Sequence, residues 1–441
     1  MQSNRRDFIR KAGLASAGLV VLPTIIKASV MGGDGRIAPG DRINMAVIGC
    51  GGRANDNMPA FLPQTDVRIV AVCDVDDSHA LAAKQLIDKH YNNNDCRMYR
   101  DFRELLAKET IDAAVLCLPD HWHALIACAF ADKKIHVYGE KPLARSLAES
   151  RAIVNAVKRN GITWQTGSQQ RSSGEFRHAC ELVRNGRIGK VDYVEVSLHN
   201  GTSYFGNPAV RPVPEGVDWD MWLGPAPLVP YRGVMHGEWR SVSDYGGGQL
   251  EDWAGHHIDI ANWGLGIDNT GPVTIEGTGR SNVDGIYDVP VEYDFTCLYE
   301  NGLKMRVTSR YRMVEVNPAW TGKDIGIMFH GPKEWIHVSR GRLSASDPEI
   351  LREPIGRNEI RLYKSDDHYR NFLDCIRSGR ETIAPAEAGH RAISVGHLGE
   401  IAIRTGQKLH WDPVAEKFTD GNVYATRLLR KPYREPWQFP V

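Results

Sequence analysis

Beyond residue 41, short apolar runs of strand length alternate with longer stretches of helical periodicity. The runs are residues 43–48, 67–73, 113–117, 135–138 and 163–166; the helical stretches between them are 78–90, 123–131 and 147–160. Ser78 is placed to cap the first of these helices. Strands that alternate with helices bury both faces of a parallel sheet, so the pattern predicts βαβ units. The second half changes character. A helix is expected over 175–185, and the runs at 191–198, 291–299 and 303–309 show partial period-two alternation. That alternation predicts a largely antiparallel sheet with one solvated face.

The first 30 residues follow neither pattern. Ser3 to Lys11 places Arg5-Arg6 and the apolar pair Phe8-Ile9 ahead of the uncharged run 12–26, and small residues follow Lys27. That run is 15 residues long, short of the roughly 20 that span a bilayer. A charged start, a modest apolar stretch and small residues predict a signal peptide over 1–30, with the arginine pair of twin-arginine export. Residues 31–41 form a polar, Gly-rich linker. The expected location is periplasmic, without a stable membrane anchor.

Composition narrows the class. At roughly 150 residues per domain, 441 residues suggest two or three domains. Lys plus Arg and Asp plus Glu both total 54, which removes the electrostatic footprint of a nucleic-acid binder. The eight cysteines are widely spaced without a C-x-x-C, and several end apolar runs, so they read as small buried hydrophobes.

The candidate chemistry sits at strand ends. The first run leads into Gly49-Cys50-Gly51-Gly52-Arg53-Ala54, a glycine turn that opens a helix. In a dinucleotide fingerprint Gly49 makes the tight turn, Gly51 admits a pyrophosphate, and Ala54 stands at the third glycine position. The helix N-terminus supplies N–H donors for the phosphates. Asp74, 20 residues after Ala54, is placed to accept bonds from a ribose diol, which favours NAD; the nearby Arg53 leaves NADP open. Pro119 to His123 and Glu140-Lys141-Pro142 follow later strands at the same rim. The fold class predicted is α/β, with a Rossmann dinucleotide-binding domain over 42–166. A second domain with a largely antiparallel sheet is expected over 167–441.

Further on, Asp252, His256 and Asp259 fall at i, i+4 and i+7, one face of a helix. A carboxylate one turn from an imidazole can orient it as a general base. Three glycines, 246–248, precede this helix and suggest backbone passing close to something. The histidines 121, 123, 256 and 257 with Glu251 match no zinc spacing, so no metal is expected. Trp219, Trp222 and Tyr231 read mainly as anchors of a Pro-rich loop.

Together, Gly49-Cys50-Gly51-Gly52-Arg53, Glu140-Lys141-Pro142 and Asp252-x-x-x-His256-x-x-Asp259 resemble the Gfo/Idh/MocA oxidoreductases from about Arg42 onward. The resemblance implies a C-terminal α/β domain with an open, mainly antiparallel sheet, a homo-oligomer built on that sheet, and a sugar, polyol or glycoside substrate. It also implies Lys141, Asp252 and His256 as the catalytic Lys, Asp and His. Pro119, His123 and Glu140 match cofactor-contacting positions beside Gly49, Gly51, Gly52, Arg53, Ala54 and Asp74. Arg171 and His257 are candidates for holding sugar hydroxyls. Ala254 stands where the family often has glycine. An exported enzyme needs its nucleotide already bound. Two reactions therefore follow: a dehydrogenase that recycles hydride onto a second carbonyl, or a redox-neutral glycosidase like the family's NAD-dependent α-N-acetylgalactosaminidases. The Tyr- and His-containing segment expected of that subgroup is not found, so the dehydrogenase leads.

Overall fold

The computed structural model describes residues 39–440 apart from 203, 317–319 and 321–324. The expected signal peptide and most of the expected linker lie outside the described residues. Within residues 1–42 the description is limited to one 3₁₀ turn, Pro39–Asp41, and its neighbour Arg42. Residues 43–441 form a separate compact unit.

The first sheet is parallel throughout. Its strands are β1 (Ile43–Ile48), β2 (Val67–Cys73), β3 (Arg97–Tyr99), β4 (Ala113–Leu116), β5 (His136–Gly139) and β6 (Trp164–Thr166), in the order β3-β2-β1-β4-β5-β6. The apolar runs become strands because helices cover both faces: β4 is buried at all four positions. The helix Asp77–Tyr91 is capped by Asp76, whose carboxylate accepts from Ser78 N at 2.9 Å. Ser78 is therefore inside the helix, not its cap. Strand β3 and the helix Phe102–Lys108 were not expected; two of the three residues of β3 are exposed, so no apolar run marks it.

The second sheet has nine strands in the order β13-β12-β11-β7-β10-β9-β8-β14-β15. They are β7 (Tyr193–Leu198), β8 (Thr274–Ser281), β9 (Pro290–Leu298), β10 (Lys304–Ser309), β11 (Gly326–His330), β12 (Trp335–Ser339), β13 (Arg342–Ala345), β14 (Leu409–Asp412) and β15 (Lys417–Phe418). Every pairing is antiparallel except β7 with β10. The expected mainly antiparallel sheet is present, with that one parallel pair at its centre.

Two helices between β13 and β14 pack back on the two sheets. The helix Ala386–Thr405 carries glycines where it meets neighbours; a Cβ on Gly399 would stand 2.4 Å from the Phe295 ring of β9. Three glycines make this a weak helix by propensity, so packing holds it. The helix His368–Ser378 puts Phe372 and Leu373 into the cluster around Phe61 and Tyr138 of the first sheet. All eight cysteines are free thiols and seven are buried, as their apolar surroundings predict.

Candidate active site

The turn after β1 is built for close approach. Gly49 has φ +79°, and a Cβ there would lie 2.3 Å from the Cys117 carbonyl oxygen. Such a position admits glycine almost alone. Gly51 is the N-cap of the helix Gly52–Phe61, whose first turn receives no side-chain cap among the described residues. A Cβ on Gly52 would meet nothing within 4 Å, and one on Gly51 only the His79 ring, at 3.8 Å. This uncapped N-terminus borders a cavity of about 510 Å³ lined also by Asp74, Pro119, Glu140 and Lys141. Ala54, fully buried, packs the helix onto the sheet instead.

Asp74 accepts from the backbone N–H of Cys50 at 2.6 Å and of Asp76 at 2.9 Å. Burial raises its carboxyl and those two bonds partly offset the rise. A carboxylate has about four acceptor sites, so two remain for a ligand diol. Arg53 does not serve this end of the cavity. Its guanidinium donates to Glu140 at 2.8 Å and Asp56 at 3.0 Å. Glu140 also accepts from Asn57 at 2.9 Å, which in turn is held by Tyr369 at 3.0 Å.

At the other end Lys141 Nζ donates to Asp252 Oδ1 at 2.6 Å. Burial by itself would raise the Asp252 carboxyl, but Lys141 and Arg240 more than reverse this and hold it below the usual range. His256 is buried beside Trp253, ring centroids 5.2 Å apart. Burial first, then the charges of Lys141 and Arg340, push its imidazole well below the ordinary value. It is therefore neutral at physiological pH, the form a general base needs.

The expected one-face alignment of Asp252, His256 and Asp259 does not hold. Between them the chain takes a π-helical turn, Ala254–Ile258, which widens the spacing and turns the three side chains apart. Asp252 pairs with Lys141, and Asp259 with Arg171 at 2.7 and 2.8 Å. Neither carboxylate orients His256, and its Nδ1 has no hydrogen-bond partner among the described residues. The preceding glycines pass close to the protein's own side chains: a Cβ on Gly247 would overlap the Glu251 carboxylate, and one on Gly246 would lie 3.0 Å from Asp120 Oδ2.

Three further candidates, like Asp252 and His256, are not among the residues that line the cavity. Arg171 is buried and bridges Asp259 and Asp268, the latter at 2.8 Å. His257 is fully buried, its Nδ1 3.1 Å from the Ser197 carbonyl. The buried Nε2 of His257 has no hydrogen-bond partner among the described residues, whereas every nitrogen of the Arg171 guanidinium faces a protein acceptor, as in a core support. His123 likewise sets both ring nitrogens against carbonyls, Pro142 at 2.8 Å and Leu118 at 2.9 Å. It ties together the two loops that carry Pro119 and Lys141, and touches the cavity through neither nitrogen.

Sequence reasoning missed the wall formed by residues 199–247. Its Trp219 and Trp222 stack at 4.8 Å, with Tyr231 edge-on to Trp219 at 5.1 Å, so these aromatics do anchor the loop. Asp77 N and Asp218 N bond Gly216 O and Val75 O across the loop and the first sheet's edge, at 3.0 and 2.9 Å. The loop then lends Met221, Met235, His236, Trp239 and Arg240 to the cavity. Local sequence gives no signal for this, since the contacts are all long-range. Two groups of possible metal donors exist among the described residues, Asp76–His79–His236 and Glu251–His397–Glu400. Neither combines the histidines that the sequence had offered.

A parallel sheet with a glycine turn, and a second sheet whose leading helix carries a Lys-paired Asp beside a neutral His, define a dinucleotide-binding oxidoreductase. The chain belongs to the Gfo/Idh/MocA oxidoreductase family. Residues 43–168 match its NAD-binding Rossmann fold, and 177–337 with 353–439 its C-terminal alpha/beta domain. It is 31% identical over 101 residues to a myo-inositol 2-dehydrogenase of Thermotoga maritima, covering 23% of this chain and 30% of that protein. It is 25% identical over 219 residues to an alpha-N-acetylgalactosaminidase of Shewanella oneidensis, covering 46% of each. These matches span less than half the length of the curated relatives. In fold it resembles the WlbA dehydrogenase of Bordetella pertussis, solved with NADH and UDP-GlcNAcA. That structure gives a TM-score of 0.62 at 17% identity, over 84% of this chain and 99% of that one.

Proposed function

We propose that this protein is an NAD-dependent oxidoreductase acting on a hydroxyl of a sugar, polyol or glycoside, with its nucleotide tightly held. The observation that carries the reading is the Lys141–Asp252 pair, 2.6 Å apart, with Lys141 in the same cavity as the Gly49–Arg53 turn and Asp74. The cavity fits the nucleotide: the uncapped helix N-terminus suits a pyrophosphate and Asp74 a ribose diol. With Arg53 committed to Glu140 and Asp56, and Arg100 to Asp77, these guanidiniums are not free to hold a 2′-phosphate, which favours NAD. The bound nucleotide supplies the hydride acceptor. Lys141 steadies the alkoxide developing on the substrate oxygen, and the neutral His256 takes the hydroxyl proton. Asp252 fixes the ammonium in place.

The signal in residues 1–30 supports export by the twin-arginine route to the periplasm, where free NAD is scarce. A captive nucleotide must then be regenerated in place. Among the described residues no helix is long and apolar enough to cross a membrane. We further propose a homo-oligomer through the open sheet, which light scattering would test, and no nucleic-acid partner. The similarity to an alpha-N-acetylgalactosaminidase supports a second reading, redox-neutral glycoside cleavage through transient oxidation and elimination.

The deciding experiment denatures enzyme recovered after export, then identifies and counts the released nucleotide. Near one NAD or NADH per chain is expected; an empty site that binds added NAD only weakly would refute the captive cofactor. Sugar-dependent turnover that requires a second carbonyl substrate marks the dehydrogenase. Cleavage of a glycoside without one marks the hydrolase.

A further inference from the structure

Ser339 pairs with Arg342 across β12 and β13, so Arg340 and Gly341 (φ +72°) form the two-residue turn of that hairpin. The turn lays the Arg340 guanidinium over Trp253, 4.7 Å from the ring centroid. Trp253 in turn stands 5.2 Å from His256 and 4.5 Å from His199, ring to ring. Among the described residues no carboxylate pairs with Arg340. Arg240 has a matching posture: it lies over Trp239 at 4.3 Å, lines the cavity, and brings Nε to 3.8 Å from Asp252.

The charges around the reacting centre do not balance. Lys141 and Arg240 share one available carboxylate, Asp252, at 2.6 and 3.8 Å, and the exposed Arg340 feels that same carboxylate only through its charge. Glu140 is committed to Arg53 and Asn57. Burial pushes the Asp120 carboxyl up to about 7, so it supplies only part of a charge. Partial burial and the charge of Arg53 draw the Arg340 guanidinium below its ordinary value. A guanidinium laid on an aromatic face without a counter-ion is prepared for a planar anion. The nucleotide's own pyrophosphate does not account for it: that group belongs at the Gly49–Gly52 turn, and Arg340 is not among the residues that line that cavity.

We infer that the sugar substrate carries a carboxylate, as in a uronic acid or its glycoside, bound by the Arg340 guanidinium with Arg240 adding its charge. This rests on the oxidoreductase reading of Lys141 and Asp252 and names the substrate class for that site.

The test titrates NAD-loaded enzyme, following tryptophan fluorescence, with D-glucuronate, methyl β-D-glucuronide, glucose 6-phosphate and the neutral parent sugars. Nucleotide reduction is followed with the same panel. Uronates are expected to bind at least tenfold more tightly than their neutral parents. Arg340→Gln is expected to remove most of that preference, through KM more than kcat, and Arg340→Lys to restore part of it; melting curves establish that both variants fold. Neutral parents bound as tightly as uronates, or a preference unchanged in Arg340→Gln, would overturn the inference. Tighter binding of glucose 6-phosphate than of any uronate would overturn it in favour of a phosphate. Uronate binding that depends on Arg340 but never reduces the nucleotide would support the anion site and refute the oxidoreductase reading, so the two failures are distinguishable.

Discussion

Lys141 and Asp252 are 111 positions apart in the chain and share a hydrogen bond of 2.6 Å. One lies at the start of the loop after β5 of the parallel sheet, and the other in the last turn of the short helix Gly248–Trp253. The bond therefore joins the nucleotide-binding half to the half that carries His256, and it fixes the ammonium where an alkoxide would form. Replacing Lys141 by Met is expected to lower hydride transfer by roughly 10²–10³-fold. It also leaves Asp252 with Arg240, at 3.8 Å, as its one remaining ion-pair partner among the described residues. Single-turnover reduction of bound nucleotide, beside an unchanged circular dichroism spectrum, checks this; unchanged turnover would remove Lys141 from the mechanism.

Arg171 distinguishes support from substrate contact. Its buried guanidinium satisfies Asp259 and Asp268 together. Arg171→Met is expected to cost about 3–5 kcal/mol, because it strands a buried carboxylate. Denaturant titration measures the loss. A variant of normal stability with a raised KM for sugar would instead place Arg171 against the substrate.

Gly49 tests the nucleotide turn. A Cβ would collide with the Cys117 carbonyl and demand a left-handed backbone, so Gly49→Ala is expected to strain the turn by about 1–3 kcal/mol. Nucleotide affinity should fall at least tenfold, measured by equilibrium dialysis of refolded apoenzyme. Gly52→Ala, where a Cβ meets open space, should weaken it much less.

Buried imidazoles predict an acid limb of stability. Burial lowers His121 and His257 to about 3 and His368 and His397 to about 4. Each stays neutral in the folded chain while its unfolded counterpart takes a proton below about pH 6.5. Their contribution is full above that pH and lost as pH falls toward 4 or 3, about 1.4 kcal/mol per unit for each. Asp259, raised to about 6 by burial against the pull of Arg171, opposes part of this. Urea midpoints at pH 7.5, 6.5 and 5.5 should be similar for the first two and clearly lower for the third.

Asp120 runs the other way. With its folded carboxyl raised to about 7 by burial, the folded state binds a proton that the unfolded state releases near 3.8. Its contribution to stability is full below about pH 4 and lost as pH rises through 7. Asp120→Asn should therefore gain on the natural protein between pH 4 and 7 and hold a constant advantage above, at most on the order of 4 kcal/mol. Melting temperatures of the pair at pH 5 and 8 decide it; a difference that does not grow with pH would show Asp120 to be ionised throughout.

The alternation of apolar runs and helical stretches determined the parallel sheet, because a strand buried on both faces must be apolar nearly throughout and its crossover helix must be periodic. The glycine turn and the Asp74 position were legible for the same reason: each answers to backbone geometry within a few residues. The tertiary structure decided what long-range contact decides. It turned Asp252 toward Lys141 and Asp259 toward Arg171, since a π turn within Ala254–Ile258 breaks the regular helical spacing from which the three had been placed on one face. It made Arg171 and His123 into buried supports and enclosed His257, because the groups that meet them come from segments up to 212 residues away. It also raised the 199–247 loop over the nucleotide cavity and set the Arg340 hairpin beside Trp253. Periodicity records which face of an element is buried; which groups then meet across that burial is settled only when distant segments pack.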